Sequence, residues 1–586
     1  MEIDSPYANT RPGVRYVGDA ACARCHKDIT LTYSQHPMGR SLSPIAAAES
    51  PGGDEAGGHP LFQAQGLEYS IERRDGKVLH QETRRDASGH IVARNEAEVR
   101  YVLGSGSQGI SYLIDRDGFL FQSPISWYVR KRQWDLAPGY DRMNTHFDRP
   151  VASTCLYCHA SRALAVAGTI NRYRPPIFQG HAISCERCHG PGELHMKGPI
   201  MVDGQDTTIV NPAALEPALR EAVCEQCHLL GQRRIVKVDR REEDYRPGLP
   251  FEEFWSIFET PAGKADAQFV GQVEQMHQSR CFHASDGELS CISCHDPHER
   301  PEPEERVRYY QERCLECHAD QGCTLPASVR VARSRNDDCT LCHMPRAEHT
   351  DIRHGATTDH RILRQPDRED RSPTGPVGTG REERSLVLFQ GERMNERQRR
   401  AADRDLGVAL CRDGPAAASV ALPLLEAALA ARPDDLDGWE AKGFALDQLG
   451  RYQEGLAAFR SALDREPGRE SALLGAADAA ARARRQDEAI ALLRRAIAIN
   501  PTRWSYRADL ASLLFRVRDW SAAAEAGREA IRLSPADLTT RKLLVRSYLR
   551  MGDSQAARRE LQTLLGFNPP DRDELIRWFA PLIQPK

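Results

Sequence analysis

The sequence contains no run of about 18 consecutive apolar residues, which is the length that a membrane-spanning helix requires. Residues 1–13 are polar and include proline, so they do not form the apolar centre of a secretory signal peptide. The formal net charge of −4 over 586 residues is small. These absences predict a chain without a transmembrane segment, from which any export leader has been removed, and with no nucleic acid or anionic membrane as a partner.

Histidine is absent after His360, and Cys411 is the only cysteine beyond that point. This absence excludes histidine- and cysteine-based metal chemistry from the C-terminal part of the chain. Because single hydrophobic cores stop growing at roughly 250–300 residues, the length also predicts several domains. We therefore expect a chemically reactive N-terminal part and a C-terminal part of different construction, in which Cys411 is a small buried apolar residue.

Fourteen of the seventeen cysteines belong to seven copies of one pattern, Cys-x-x-Cys-His. This pattern is the attachment signature of c-type haem, in which two thiols bond to the haem and the adjacent histidine becomes an axial ligand of the iron. A structural zinc knuckle is the alternative, but it does not require a histidine directly after the second cysteine. The sequence therefore predicts seven covalently bound haems c. Their residues are Cys22, Cys25 and His26; Cys155, Cys158 and His159; Cys185, Cys188 and His189; Cys224, Cys227 and His228; Cys291, Cys294 and His295; Cys314, Cys317 and His318; and Cys339, Cys342 and His343.

Thirteen histidines lie outside these motifs, which is enough to give every iron a second axial ligand. An iron with two histidine ligands is closed and carries electrons, whereas an iron without the second ligand is open to substrate. The histidines His59, His80 and His90 lie in turn-rich polar surroundings and are predicted to be solvent-exposed. Which distal histidine serves which haem is left open by the sequence. The seven predicted distal ligands are His36, His146, His195, His277, His298, His354 and His360, with His181 and His349 as reserves.

The predicted fold class is mostly α, with residues 1–363 forming a loop-rich domain in which haem planes take the place of an apolar core. Within this domain, short apolar segments alternate with turn signals such as Asp75-Gly76 and Ser88-Gly89. These features predict a small antiparallel β insertion over about residues 59–140. A linker rich in proline, glycine and arginine follows over residues 364–385.

Five prolines in the C-terminal part are spaced by 34 residues each time, and small residues recur with them. This period resembles the tetratricopeptide repeat, a helix-turn-helix unit that stacks into an α-solenoid. We therefore expect a repeat domain over residues 386–586, with about five copies over residues 402–571 and a capping helix over residues 572–586. The five prolines are Pro433, Pro467, Pro501, Pro535 and Pro569.

Several short sequence segments around the motifs resemble those of one cytochrome superfamily. They are Tyr16-Val-Gly-Asp before the first motif, Cys185–His195, Cys291–His298, and Cys339–Pro345 with Thr358-Asp-His360. They look like multihaem cytochromes related to the tetrahaem electron-transfer partner of hydroxylamine oxidoreductase. The fusion to repeats resembles a group of bacterial multihaem cytochromes. The resemblance implies distal ligation by His36, His195, His298 and His360. The superfamily also contains nitrite and hydroxylamine converters, but the Cys-x-x-Cys-Lys motif common in its nitrite reductases is absent.

These observations predict an exported protein, periplasmic or extracellular, that carries electrons along seven haems. A redox protein would dock at a haem edge, and a protein partner or a second copy of the chain would bind the repeats. The alternative is a multihaem reductase of a small nitrogen or sulfur oxyanion at one open iron; no catalytic residue is assigned. Two spare cysteines, Cys281 and Cys323, are predicted to form a disulfide because exported proteins encounter oxidising conditions.

The haem count is directly testable, because each of the seven motifs offers both thiols and the axial histidine. Mass spectrometry of the mature protein should show about seven haem additions of about 616 Da each. A clearly smaller number of additions would contradict the count.

Overall fold

The computed structural model describes residues 3–48, 51, 61–86, 88–260, 271–319, 322–334, 337–346, 358–364, 386–391 and 394–580. The chain forms two compact units that are each built from separate stretches of sequence. The first unit comprises Met1–Leu42, Leu156–Arg162 and Phe178–Ala409. The second unit comprises Ser43–Cys155, Ala163–Ile177 and Leu410–Lys586.

The helices are numbered α1 to α23 in chain order. They are α1 (Asp19–Cys22), α2 (Lys27–Gln35), α3 (Ser153–His159), α4 (Glu186–His189), α5 (Glu193–Lys197), α6 (Pro217–His228), α7 (Gln272–His277), α8 (Arg280–Ala284), α9 (Cys291–Cys294), α10 (Arg306–His318), α11 (Ala327–Arg333), α12 (Cys339–His343), α13 (Glu396–Leu410), α14 (Pro415–Ala431), α15 (Leu436–Gln448), α16 (Tyr452–Arg465), α17 (Glu470–Arg482), α18 (Gln486–Ile499), α19 (Trp504–Arg516), α20 (Trp520–Leu533), α21 (Leu538–Arg550), α22 (Ser554–Gly566) and α23 (Arg572–Trp578). Among these described helices, none combines the length and the apolar character that crossing a membrane would require.

The strands are numbered β1 to β17 in the same way. They are β1 (Leu42–Pro44), β2 (Phe62–Ala64), β3 (Leu67–Arg74), β4 (Lys77–Arg85), β5 (Ile91–Leu103), β6 (Gly109–Arg116), β7 (Phe119–Gln122), β8 (Ile125–Tyr128), β9 (Gln133–Leu136), β10 (Arg149–Pro150), β11 (Ala163–Ala165), β12 (Tyr173–Phe178), β13 (Met201–Val202), β14 (Gln205–Asp206), β15 (Arg233–Val236), β16 (Trp255–Glu259) and β17 (Val387–Leu388).

The first unit consists of short helices joined by long loops, as expected for the part of the chain that carries the motifs. Its main apolar cluster is aromatic and gathers around the fully buried Trp255, with Tyr245, Phe254 and Tyr157 against it. Strand β16, which carries Trp255, pairs on one side with β15 and on the other with β17. This cluster therefore holds the segment after the fourth motif to the segment at residues 387–388.

The second unit contains a ten-stranded sheet, so the prediction of a small β insertion was wrong in extent, and the mostly α class holds only in part. The central strand order is β10-β7-β6-β5-β4-β3-β2, with antiparallel neighbours along it. Two strands outside the predicted range of residues 59–140, β1 and β10, join the sheet because their backbones hydrogen-bond to β5 and β7. Arg149, for example, pairs with Gln122, well beyond the expected end near residue 140.

His80 is buried, which corrects the prediction that it lies in solvent. It sits on β4, has no exposed surface, and its Nδ1 is 2.7 Å from Ser123 Oγ. Its ring meets Tyr112 edge-on at 4.7 Å between centroids. Burial lowers the pKa of His80 to about 3. The polar turns near His80 in sequence are exposed, but residues 78–83 of β4 are all buried, so this strand is covered on both faces. His90 is exposed as expected, and His59 lies outside the described residues.

Four helix pairs, α15–α16 to α21–α22, confirm the tetratricopeptide repeats. Their first helices begin at Leu436, Glu470, Trp504 and Leu538, which repeats the 34-residue proline spacing. Phe459 packs between neighbouring repeats: a Cβ added at Gly475 would lie 2.5 Å from its ring, so this close approach requires glycine. The predicted cap is helical over Arg572–Trp578 (α23). Cys411 is buried, as predicted.

The sheet and the repeats belong to the same compact unit, and Glu470 joins the repeats to the loop between β11 and β12. Its side chain is fully buried and accepts hydrogen bonds from Ile170 N at 2.8 Å, from Tyr506 Oη at 2.7 Å and from Asn500 Nδ2 at 2.9 Å. A second contact is the ion pair between Arg503 and the buried Asp148, at 3.2 Å. The predicted domain boundaries remain a prediction: a haem domain over residues 1–363, a linker over residues 364–385 and a repeat domain over residues 386–586.

Replacing Glu470 by alanine should lower the free energy of unfolding by about 2 kcal/mol, because the buried Tyr506 hydroxyl and the partly buried Ile170 N–H lose their acceptor. The measurement is urea denaturation of the full chain followed by circular dichroism. Asp487→Ala, which changes an exposed carboxylate on the next helix, is the matched control and should leave the transition unchanged. Equal midpoints for both variants would show that Glu470 does not stabilise this junction.

Candidate haem sites

All seven Cys-x-x-Cys-His motifs lie on, or at the end of, a short helix: α1, α3, α4, α6, α9, α10 and α12. A helix places residues three apart on one face, so both thiols of a motif project the same way. The following histidine then lies at the helix end, next to the thiols. This local geometry brings together the three side chains that covalent haem attachment requires.

Three motif histidines face a second histidine across a gap of similar width. The ring centroids of His26 and His195 are 6.5 Å apart, with an angle of 22° between the ring planes. The corresponding values are 5.9 Å and 13° for His189 and His298. Two imidazoles bound to one metal at about 2 Å would have their ring centres about 6 Å apart. Each gap therefore fits one metal ion between the rings.

The third pair is formed by His295 and His360, with centroids 6.4 Å apart and planes inclined by 31°. In all three pairs, the second histidine follows a motif later in the chain than the one it faces. His195 follows the third motif but faces the histidine of the first. Pairing between different motifs brings together segments that are far apart in sequence. The motif pattern alone does not predict which histidines pair.

Hydrogen bonds fix several of these rings by their Nδ1 atoms. Nδ1 of His189 lies 2.8 Å from the Val210 carbonyl, and Nδ1 of His360 lies 2.8 Å from the Thr358 carbonyl. Nδ1 of His195 lies 2.7 Å from Asp206 Oδ2. Because a carbonyl or carboxylate accepts from Nδ1–H, the Nε2 atom is left with its lone pair, which is the form that binds metal.

Burial keeps three of the paired histidines neutral. It is the main cause that lowers the pKa of His189, and it likewise lowers the pKa of His360. Burial, followed by the charge of His360, lowers the pKa of His295 to about 4. These imidazoles are therefore unprotonated at neutral pH, and they can donate a lone pair to iron.

The motifs contact one another through hydrogen bonds. Asp19 Oδ1 accepts from the backbone N–H of Cys185 at 3.0 Å, which joins the first and third motifs. Gln226 Nε2 donates to the Arg187 carbonyl at 2.9 Å, which joins the fourth motif to the third. Tyr157 Oη donates to Gln226 Oε1 at 3.1 Å, which adds the second motif.

Thiol–thiol interactions extend this network along the chain. Each joins two different motifs, so the attachment points of neighbouring motifs are adjacent. The pairs are Cys22 with Cys185, Cys158 with Cys227, Cys224 with Cys291, and Cys314 with Cys339. Tyr310, on the helix of the sixth motif, lies 3.4 Å from Nδ1 of His295 in the fifth. All seven motifs are therefore linked in one continuous network.

The other predicted distal histidines have different neighbours. His36 ends α2, and its Nδ1 accepts from the Met38 N–H at 3.2 Å. His146 lies 2.8 Å from the buried Glu82 of strand β4. His277 has Glu221 and Gln390 against its two ring nitrogens. His354 lies outside the described residues, as does the reserve His349, while the reserve His181 lies beside Phe178.

Cys281 and Cys323 are both free, so the predicted disulfide is not formed. Cys281 is half-buried on α8, where burial raises its thiol pKa and the neighbouring Cys317 raises it further. Cys323 is exposed in the segment after α10. Cys281 therefore lies close to the sixth motif rather than next to the other spare cysteine.

Comparisons with known proteins agree with the motif geometry. The family described as "Cytochrome c554 and c-prime" matches residues 132–190, and the "Doubled CXXCH motif" family matches residues 283–322. The tetratricopeptide repeat family matches residues 418–470, 441–503 and 474–537. These matches and the sites define a multihaem c-type cytochrome that carries tetratricopeptide repeats.

A curated relative is "Multiheme cytochrome MtrA" from Shewanella baltica (strain OS185), 23% identical over 210 residues. The match covers 34% of this chain and 47% of the relative, so the chain spans about half of that protein's length. Among solved structures, a crystal structure of MamA protein covers 32% of this chain and 97% of its own, with 16% identity and a TM-score of 0.27. A second MamA crystal structure has 17% identity over 26% of this chain and 90% of its own, with a TM-score of 0.25.

The absence of a disulfide predicts the number of reactive thiols in the haem-loaded protein. Haem attachment consumes the motif cysteines, so alkylation under denaturing, non-reducing conditions should label three residues: Cys281, Cys323 and Cys411. Peptide mass spectrometry identifies them. Labelling of Cys411 alone would show that the other two are bridged after all.

Proposed function

We propose that the protein is an electron carrier of the space outside the cytoplasm, with seven haems c and with bis-histidine ligation at His26/His195, His189/His298 and His295/His360. The observation that carries the proposal is the spacing of these three pairs, which corresponds to two imidazoles on one iron. Haem c bound there supplies reversible one-electron chemistry. The protein supplies closed coordination sites that leave no position for a substrate.

The arrangement of the motifs supports transfer from site to site. Hydrogen bonds join several motifs directly, and the cysteines of the remaining neighbours lie side by side, so the haems attached to them would be adjacent. Short separation between neighbouring sites is what a chain of redox centres requires, because each centre must hand its electron to the next. These contacts set the separations between neighbouring haem attachment points.

The repeats are proposed to bind a protein partner, because stacked helix pairs form an extended concave surface that commonly recognises proteins. A redox partner would exchange electrons at an exposed haem edge. His36, His146, His277 and His354 remain the predicted ligands of the other four irons. The reductase alternative would require an open iron, and none of the three pairs provides one.

The decisive experiment replaces one distal histidine and reads the iron spin state. In His298→Ala, one haem should lose its second ligand, and a high-spin signal should appear in low-temperature electron paramagnetic resonance, while the haem count stays unchanged. The matched control is His90→Ala, because the His90 side chain is 81% exposed. This variant should keep the wild-type spectrum.

Two outcomes would contradict the proposal. An unchanged low-spin spectrum in His298→Ala would show that His298 is not a ligand. A high-spin fraction already present in the wild-type protein would favour the reductase alternative, since it would reveal an iron that is open to substrate.

A further inference from the structure

A buried group of two carboxylates and one imidazole lies beside the fourth motif and belongs to none of the three histidine pairs. Glu221 and Glu225 are one turn apart on α6, and His277 ends α7. One ligand atom from each residue lies within 4.8 Å of the other two. Both glutamates are 8% exposed, and the His277 side chain is 9% exposed. The group is therefore almost entirely removed from water.

Within the part of the chain that the structure describes, no lysine or arginine forms an ion pair with Glu221 or Glu225. Glu221 Oε1 is buried without a hydrogen-bond partner, and Glu221 Oε2 lies 3.2 Å from His277 Nε2. Arg220, the neighbour of Glu221 in sequence, faces Glu288 at 3.8 Å instead. Two adjacent buried carboxylates repel each other and have lost their hydration, so a cation between them would relieve both penalties.

A side chain at the ring nitrogen remote from Glu221 orients the imidazole of His277. The side-chain amide of Gln390 lies 2.7 Å from His277 Nδ1. Because the nitrogen and oxygen of an amide occupy equivalent positions, turning this amide lets its oxygen accept from Nδ1–H. The lone pair of Nε2 then faces Glu221. A hydrogen bond to the remote ring nitrogen is the usual support of a metal-binding histidine.

We propose that Glu221, Glu225 and His277 bind one divalent transition-metal ion of the zinc or manganese class, separate from the haem irons. Mixed carboxylate and imidazole donors suit such ions, whereas calcium and magnesium prefer oxygen ligands alone. The bound ion would join α6, which ends in the fourth motif, to α7. This role replaces the distal haem ligation that the sequence predicts for His277, and it does not depend on the proposed electron-transfer function.

The test is a titration of the haem-loaded full chain, first dialysed against a chelator, with zinc chloride or manganese chloride. Calorimetry and elemental analysis should show one tightly bound ion per chain. Glu225→Gln should weaken binding at least about 10-fold, because it removes a charged ligand. Glu216→Gln is the matched control: this exposed glutamate precedes the first residue of α6, and its loss should leave binding unchanged.

His277→Asn separates the two roles of this histidine. In the proposed site, the variant loses the ion while the haem count and the low-spin spectrum stay as in the wild type. A new high-spin signal would identify His277 as an iron ligand and overturn the proposal. Unaltered metal binding in both Glu225→Gln and His277→Asn would also overturn it. If Glu225→Gln lowers the haem count, Glu221→Gln provides the same comparison.

Discussion

The first unit depends on pairs of imidazole rings that come from different parts of the chain and face each other. His26 faces His195, His189 faces His298, and His295 faces His360. The helices of this unit are too short to be stable alone in water, so contacts between distant segments must hold the unit together, among them the aromatic cluster around Trp255. The pairs place the beginning of the chain beside its middle, and its middle beside residue 360, and backbone carbonyls or Asp206 fix several of the rings at Nδ1.

The second unit has its apolar cores within a large sheet and between stacked helix pairs. The ten-stranded sheet buries aromatic residues such as Tyr69 and Phe121, and the repeats bury alanine and leucine around Phe459. Glu470 joins the repeats to the loop between β11 and β12 by a hydrogen bond from the Ile170 N–H. A fully buried carboxylate is tolerated there because several donors satisfy it.

The sequence predicted the local chemistry well and the tertiary partners poorly. The motifs predicted short helices, and the 34-residue proline spacing predicted the repeat pairs, since both depend on residues close together in the chain. The extent of the sheet was underestimated because β10 is only two residues long and has no periodicity of its own. His80 was misjudged for a related reason: its exposed flanking turns did not indicate that β4 is covered on both faces.

By itself, the sequence determined which residues can attach haem and which stretch forms repeats, because spacing along the chain is sufficient for both. Only the tertiary structure decided that His195 faces the first motif, that Cys281 lies by Cys317 rather than Cys323, and that His277 meets Glu221 and Glu225. Each of these depends on loops that return distant segments to one place. The packing of the whole unit determines how these loops close, and local residue patterns do not predict it.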